Sequence, residues 1–444
     1  MTRRVRRSAH LRSPARIDSP GPTTPDDPSV AGAAPQPPER GATFRSLRER
    51  NVRLFFAGLL VSNIGTWIQA TAVVLLVRSL GGTGFDLGVV LACQFLPMLL
   101  FGLWFGGFAD RHDRFRTTMA MQAAMGIQAL AMGFVALTDR ATIPLVNGLT
   151  VVLGVLAAMD NPARRGLVLE LVSSEDIGNV MSLNTSVMTG SRAFGPALAA
   201  LLVSVIGVGW CFVLNGVSFI ALLGALWAMD QSRRHRVPPA PRGGRPVREG
   251  LAAVWSSSEL RLTLIVFAVV STFAFNYSVA LPLLIERLGA DDRVFGWLLS
   301  VVSFGSVIGS LLVARRYQVG QAQLAASLAT LSASGVVLAL APNLPVAFAA
   351  AIPLGIGGAG FIACSNVIFQ SRTDAQMRSR VLALTAVAFL GSTPIGGPIT
   401  GWIGDHWGAR WSLLYGSLIA GASVTAAVVI LRRRSEPRAG TVPG

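Results

Sequence analysis

Gly106-Gly107-Phe108-Ala109-Asp110-Arg111-His112-Asp113-Arg114-Phe115-Arg116 joins two long apolar runs, 86–108 and 117–137. Asp110, a second acid at Asp113 and three arginines crowd into this short turn. Charges so close to hydrocarbon are costly unless they find partners. A glycine-started, charged turn at the mouth of a helix pair suggests a gating joint. Gly106, Asp110, Arg111 and Arg114 are its candidate residues.

The rest of the chain supports a lipid setting. Of 444 residues, 52% are hydrophobic and 14% charged, against roughly 25% charged in soluble domains. Apolar runs recur at 54–77, 86–108, 117–137, 143–159, 183–206, 211–229, 262–285, 295–314, 322–341, 345–369, 380–403 and 411–431. Each approaches or exceeds the ~18 residues that cross a bilayer as a helix. None alternates apolar and polar residues as a barrel strand does, so helices are the expected spanning element. The expectation is an all-α membrane protein of twelve transmembrane helices.

The basic residues orient it. All 38 are arginine, and lysine is absent. With the N-terminus inside, twelve spans place 32 of them on the inner side, and only Arg78, Arg140, Arg287, Arg293 and Arg410 outside. Positive residues are retained in the cytoplasm. Both termini are therefore expected on the cytoplasmic face of the membrane. The net charge of +16 then reflects topology. A nucleic-acid partner would need a basic face on a folded soluble domain, and the chain offers none.

Missing lysine also excludes a Walker A loop, hence a self-contained ATP-driven pump. Cys93, Cys211 and Cys364 sit far apart inside apolar runs, and four histidines form no cluster. No metal, cofactor or catalytic set is expected, and the chain does not read as an enzyme.

Five segments emerge: a disordered cytoplasmic tail at 1–50, a six-helix bundle at 51–229, a linker at 230–260, a second six-helix bundle at 261–431, and a tail at 432–444. The linker carries four prolines and ends in a short amphipathic helix, roughly 247–256. The bundles look like repeats. Gly190-Ser191-Arg192-Ala193-Phe194-Gly195-Pro196 in the fifth run is echoed by Gly391-Ser392-Thr393-Pro394-Ile395-Gly396-Gly397-Pro398 in the eleventh. Gly305 and Gly309 before Arg315-Arg316 echo Gly102 and Gly106 before Arg111. Two similar halves suggest a transporter with its site between them.

The loop at 106–116 resembles the Gly-x-x-x-Asp-Arg-x-Gly-Arg-Arg signature of the major facilitator superfamily, departing from it at Asp113 and Phe115. Asp160-Asn161-Pro162-Ala163-Arg164, Glu170-Leu171-Val172, Leu183-Asn184 and Arg192-Ala193-Phe194-Gly195-Pro196-Ala197 look like the enterobactin-exporter-like, drug-efflux branch of that superfamily. So do Asn51-Val52-Arg53-Leu54-Phe55-Phe56 and Val61-Ser62-Asn63-Ile64-Gly65-Thr66-Trp67. The resemblance covers about 45–431. It implies twelve helices in two pseudo-symmetric halves, alternating access, and export of a small molecule driven by a proton gradient.

Against that background the residues divide as follows. Asp110 can accept amide hydrogens at the N-terminus of a helix from the other half, near 380–384, where the helix dipole favours it. The bland alternative is a solvated, topology-setting turn. Asp160 and Arg164, four apart, suit an ion pair, and with Glu170 they form a cytoplasmic charge cluster, either a latch or a substrate contact. Arg192 stands alone among basic residues inside a span and should face a cavity or an acid. Its alternative is a snorkelling arginine nearer the interface. The Gly195-Pro196 step resembles the fifth-helix antiporter motif, with Ala199 and Ala200 in place of its paired glycines. It and Gly397-Pro398 are candidate helix kinks or packing points. Asn63, Gln94, Asn276, Tyr277 and Asn366 are candidate cavity-lining residues, each open to a role as helix–helix glue. No acid falls clearly at mid-membrane; Asp86, Asp110, Asp160, Glu286, Asp374 and Asp405 lie near helix ends.

The expected function is export of amphipathic small molecules (drug, antibiotic or siderophore) by a proton-coupled secondary transporter acting as a monomer. An importer or facilitator of a polar nutrient on the same fold is the alternative, and a membrane scaffold or sensor a remoter one.

Overall fold

The computed structural model describes residues 42–109, 111–235, 246–316, 319–374 and 377–435. Asp110, most of the N-terminal tail and the last nine residues lie outside them.

Fifteen α-helices follow in order: α1 Arg50–Ser79, α2 Gly84–Ala109, α3 Arg114–Leu137, α4 Ile143–Leu169, α5 Ile177–Ile206, α6 Val208–Trp227, α7 Pro246–Trp255, α8 Ser258–Ala274, α9 Tyr277–Arg287, α10 Val294–Ala314, α11 Gln321–Ala339, α12 Leu344–Arg372, α13 Arg378–Leu390, α14 Thr393–Trp407 and α15 Ala409–Ser435. Eleven helical stretches among the described residues are long and apolar enough to cross a membrane. The twelfth expected span, 411–431, falls within α15, which is not among those eleven.

Local chemistry sets the ends. Asp113 accepts the Arg116 amide at 3.0 Å and starts α3. Asn343 does the same for α12 through Val346 at 3.2 Å, and proline opens α4. Side chains of this type satisfy amides that the helix leaves unpaired. Gly207 and Gly408 carry φ of 83° and 96°, a conformation glycine adopts without strain. They turn the chain between α5 and α6 and between α14 and α15, so the fifth and eleventh spans end in the same way.

Two spans are broken where one helix was expected. The seventh divides at Phe275–Asn276 into α8 and α9. The eleventh divides at Gly391–Ser392, just before Pro394, which has no amide to donate. There the Ser392 hydroxyl donates to the Phe389 carbonyl at 2.5 Å. The fourth helix runs ten residues past the expected 159, so Asp160, Pro162 and Arg164 lie within α4. The fifth starts at Ile177 rather than 183, and Arg192 therefore sits at its middle. The short linker helix appears as α7.

The core is aliphatic and aromatic, with Phe55, Phe212, Phe267, Phe295 and Phe361 fully buried. On the perimeter Trp104, Trp227, Ile127 and Val205 are exposed, which suits surfaces solvated by lipid.

The two halves meet along two helix pairs, α2 with α14 and α5 with α10. Glycines permit the approach. A Cβ on Gly88 would overlap the Gly397 carbonyl and lie 2.6 Å from Pro398 Cα, and one on Gly296 would overlap the Pro196 carbonyl. Each Gly-Pro step thus packs beside a glycine near the start of a helix of the other half. Both contacts lie at the end of the molecule opposite the Arg-rich loops. Among the described residues α2 also touches α13, the continuation of α14's span, toward the Arg-rich end.

Candidate functional site

Arg192 projects from the middle of α5 into a cavity of about 280 Å³. The wall combines Thr189 and Arg192 with Phe275 and Tyr277, with α10 from Leu299 to Ser310, and with α12 from Leu354 to Asn366. One half contributes α5 and the other contributes the rest. Along α10 and α12 the wall runs from mid-helix toward the Arg-rich end. Arg192 is exposed by area although mid-helix, because its guanidinium opens into this space. Its described partner is the Trp67 ring, 5.7 Å from the guanidinium carbon. Gly195 brings α5 close enough for that contact, since a Cβ there would overlap Trp67. At this step close packing is what the glycine provides, and α5 runs unbroken through Pro196.

The structure brings Arg192, Tyr277 and Asn366 together and leaves the other polar candidates elsewhere. Asn63 donates to the Met188 sulfur at 3.1 Å. Asn276 donates to the Thr272 carbonyl at 2.7 Å and borders a small void inside the second half. Gln94 is half-buried on α2 and is absent from the cavity wall. Serines 303, 306 and 310 line the cavity, and nothing in their spacing had distinguished them from ordinary helix serines. A second polar group is wholly internal. Asn215 donates to Gln69 at 2.6 Å, Gln69 to Gln128 at 3.2 Å, and Gln128 to the Leu149 carbonyl at 3.0 Å. This chain ties α6, α1, α3 and α4, the glue that polar residues supply between helices in lipid.

At the Arg-rich end the expected Asp160, Arg164 and Glu170 cluster separates into two. Asp160 pairs with Arg164 at 2.9 Å. Glu170 instead accepts from Arg114 at 3.3 Å and Arg234 at 2.6 Å, because α4 ends before it and turns its side chain toward α3 and the start of the linker. Arg234 also lies 3.8 Å from Asp113 and 5.2 Å from the Phe115 ring. Sequence reasoning had not singled out Arg234. Nearby, Ser232 donates to the Asp230 carboxyl through its hydroxyl at 2.6 Å and its amide at 3.0 Å, which holds that carboxyl below the usual range. In the second half buried Glu259 accepts from Gln321 at 3.4 Å and faces Arg372 at 3.8 Å. Of the turn 106–116, Arg111 is exposed and Arg114 reaches Glu170. Gly106 lies within α2, and the capping proposed for Asp110 lies outside the described residues.

The opposite end is closed between halves by charge as well. Asp405 accepts the amides of Gly84 and Phe85. Arg78 pairs with Glu286 at 3.0 Å and Asp292 at 3.6 Å. The ion pairs given above for the Arg-rich end lie within the first bundle, between it and the linker, or at the start of the second bundle.

Among the described residues no cluster of His, Cys, Asp or Glu could hold a metal. A larger depression of about 620 Å³ between α3 and α6 is bordered by Met119, Leu223 and Trp227. It lies within one half, on the apolar perimeter.

Comparison with known proteins agrees with this architecture. The transmembrane secretion effector family model matches residues 41–439. The staphyloferrin A transporter of Staphylococcus aureus is 21% identical over 363 residues, covering 80% of this chain and 90% of that protein. Macrolide efflux protein A of Streptococcus pyogenes is 24% identical over 379 residues, covering 82% and 92%. A bacterial homologue of the human lysosomal transporter Spinster, solved inward-facing and unoccupied, superposes with a TM-score of 0.67 at 14% identity, covering 87% of this chain and 98% of that one. That likeness speaks to the fold alone. Two packed sets of apolar helices, an interface cavity and a family match across nearly the whole chain lead to one assignment: the protein belongs to the transmembrane secretion effector family of major facilitator transporters.

Proposed function

We propose that the chain exports small amphipathic molecules (drug, antibiotic or siderophore) by alternating access between two six-helix halves, as a monomer in a bacterial cytoplasmic membrane. The observation that carries this is a cavity between the halves, beside contacts that, among the described residues, join the halves at the end opposite the Arg-rich loops. Substrate would enter from the Arg-rich, cytoplasmic end, where the wall of Ser310 and Asn366 lies. Rocking the halves would break the α2–α14 and α5–α10 contacts and open the other face. The matched Gly-Pro contacts support pseudo-twofold halves, with α15 as the twelfth span. The siderophore and macrolide transporters among its relatives support efflux as the direction.

The proton gradient is the proposed drive. No acid among the described residues lies on the cavity wall.

Expression in an efflux-deficient host tests the proposal. Resistance to toxic compounds should rise and should vanish with an uncoupler. Increased accumulation of every compound on expression would reverse the direction and leave the importer.

A further inference from the structure

We propose that the cargo of this cavity is an anion, an amphipathic carboxylate that also carries hydroxyl or amide groups. The inference rests on the export function above and names what is exported.

Three observations converge. The first is charge. Arg192 is the sole charged side chain on the cavity wall, and the acids of the described residues lie elsewhere. No ion pair is described for it. The Trp67 ring covers a face of the guanidinium, and cation–π contact leaves the N–H edge free. A guanidinium stays protonated and presents a planar fork of donors that matches a carboxylate. In a setting poor in water such a charge calls for a counter-ion, and the cavity leaves that place to the ligand.

The second is an orphaned hydroxyl. Tyr277 is 8% exposed, its hydroxyl has no hydrogen-bond partner, and the residue lines the same cavity. Buried polar groups are nearly always paired, so this one awaits a ligand or a water. The Asn366 carboxamide, on the facing helix, is likewise without a described hydrogen bond.

The third is the polarity of the serines. Ser303 donates to the Leu299 carbonyl at 2.9 Å and Ser306 to Val302 at 3.0 Å. With their protons spent on their own helix, their oxygens face the cavity as acceptors. They select hydroxyl or N–H donors on the ligand, while Phe275 and Leu354 receive its apolar part. A cationic substrate would meet Arg192 with no acid to offset it.

The test uses the full-length protein purified in detergent and two dyes on one xanthene frame, anionic fluorescein and a cationic rhodamine ester. Binding is read by fluorescence anisotropy at neutral pH. Fluorescein should bind at least about tenfold more tightly than the rhodamine, and Arg192→Gln should weaken it by about tenfold or more, as loss of one partner of a buried charge pair does. Arg192→Lys, which keeps the charge, should recover part of the loss, and Tyr277→Phe should weaken fluorescein without affecting the rhodamine. Equal loss of both dyes in Arg192→Gln, tighter binding of the rhodamine, or binding of neither overturns the proposal. Everted vesicles separate it from the export function. Fluorescein bound through Arg192 but not accumulated rejects export and keeps the anion site. Rhodamine accumulated regardless of Arg192 rejects the anion site and keeps export.

Discussion

The carboxylate of Asp405, near the C-terminal end of α14, accepts the amide hydrogens of Gly84 at 2.7 Å and Phe85 at 2.8 Å. It therefore caps the N-terminus of α2 from the opposite half of the molecule, across 321 residues of chain. The free amides and the positive end of the helix dipole both favour a carboxylate there. Removing it should loosen the closed end. For Asp405→Ala we expect a cost of about 1 kcal/mol, typical of a lost cap, which moves the open-to-closed ratio by roughly fivefold. Spin labels at Thr138 and Leu340 report the separation of the halves at that end. A distance distribution unchanged by the substitution would refute the latch.

Glu170 of the first half and Arg234 of the linker make a tight buried ion pair, with side chains 6% and 4% exposed at 2.6 Å. Breaking such a pair leaves an uncompensated charge and costs about 3–5 kcal/mol. Glu170→Gln should lower the unfolding midpoint in detergent clearly. Arg45→Gln removes an ion pair to Asp176 whose arginine is 49% exposed and should cost no more than about 1 kcal/mol. Equal shifts in the two variants would mean that Glu170 and Arg234 are hydrated in solution.

Gln69 and Asn215 offer a contrast to the cavity. Both are 1% exposed and bond to each other at 2.6 Å. Gln69→Leu should cost about 0.6–2 kcal/mol of stability, the range for hydrogen bonds between helices in lipid, with the ranking of transported compounds kept. A changed ranking would show that this network reaches the substrate after all.

Much of this was legible in the chain because its physics is local. Hydropathy marks the spans, and a lone arginine amid apolar residues marks Arg192 whatever the exact start of its helix. What stayed hidden depends on where helices break and which distant residues meet. Asn276 and Tyr277 are neighbours with similar claims on a cavity, and both border the small void inside the second half, yet past the break at Phe275–Asn276 Tyr277 alone of the two also reaches the interface cavity. No period along 262–285 announces that break, since predominantly apolar sequence flanks it on both sides. Glu170 and Arg234 are 64 residues apart, with Arg234 in a linker where arginines read as topology signals. Asp405 and Gly84 are separated by most of the protein, and only folding makes them partners.

Gly88 and Gly102 lie on the same helix and should respond in opposite ways to added bulk. A Cβ on Gly88 would overlap the Gly397 carbonyl, where α2 and α14 cross, whereas the nearest atom to one on Gly102 is Met98 Cγ at 3.8 Å. Backbones approach this closely in membranes only where side chains are absent. Gly88→Leu should hold the halves apart at the Asp405 end, abolish transport and leave membrane insertion intact. Gly102→Ala should be silent, or slightly stabilising through the higher helix propensity of alanine. Transport activity and the Thr138–Leu340 label distance, measured together, separate a jammed interface from a misfolded one. Wild-type transport by Gly88→Leu would mean that the α2–α14 crossing is not a surface that must close in the cycle.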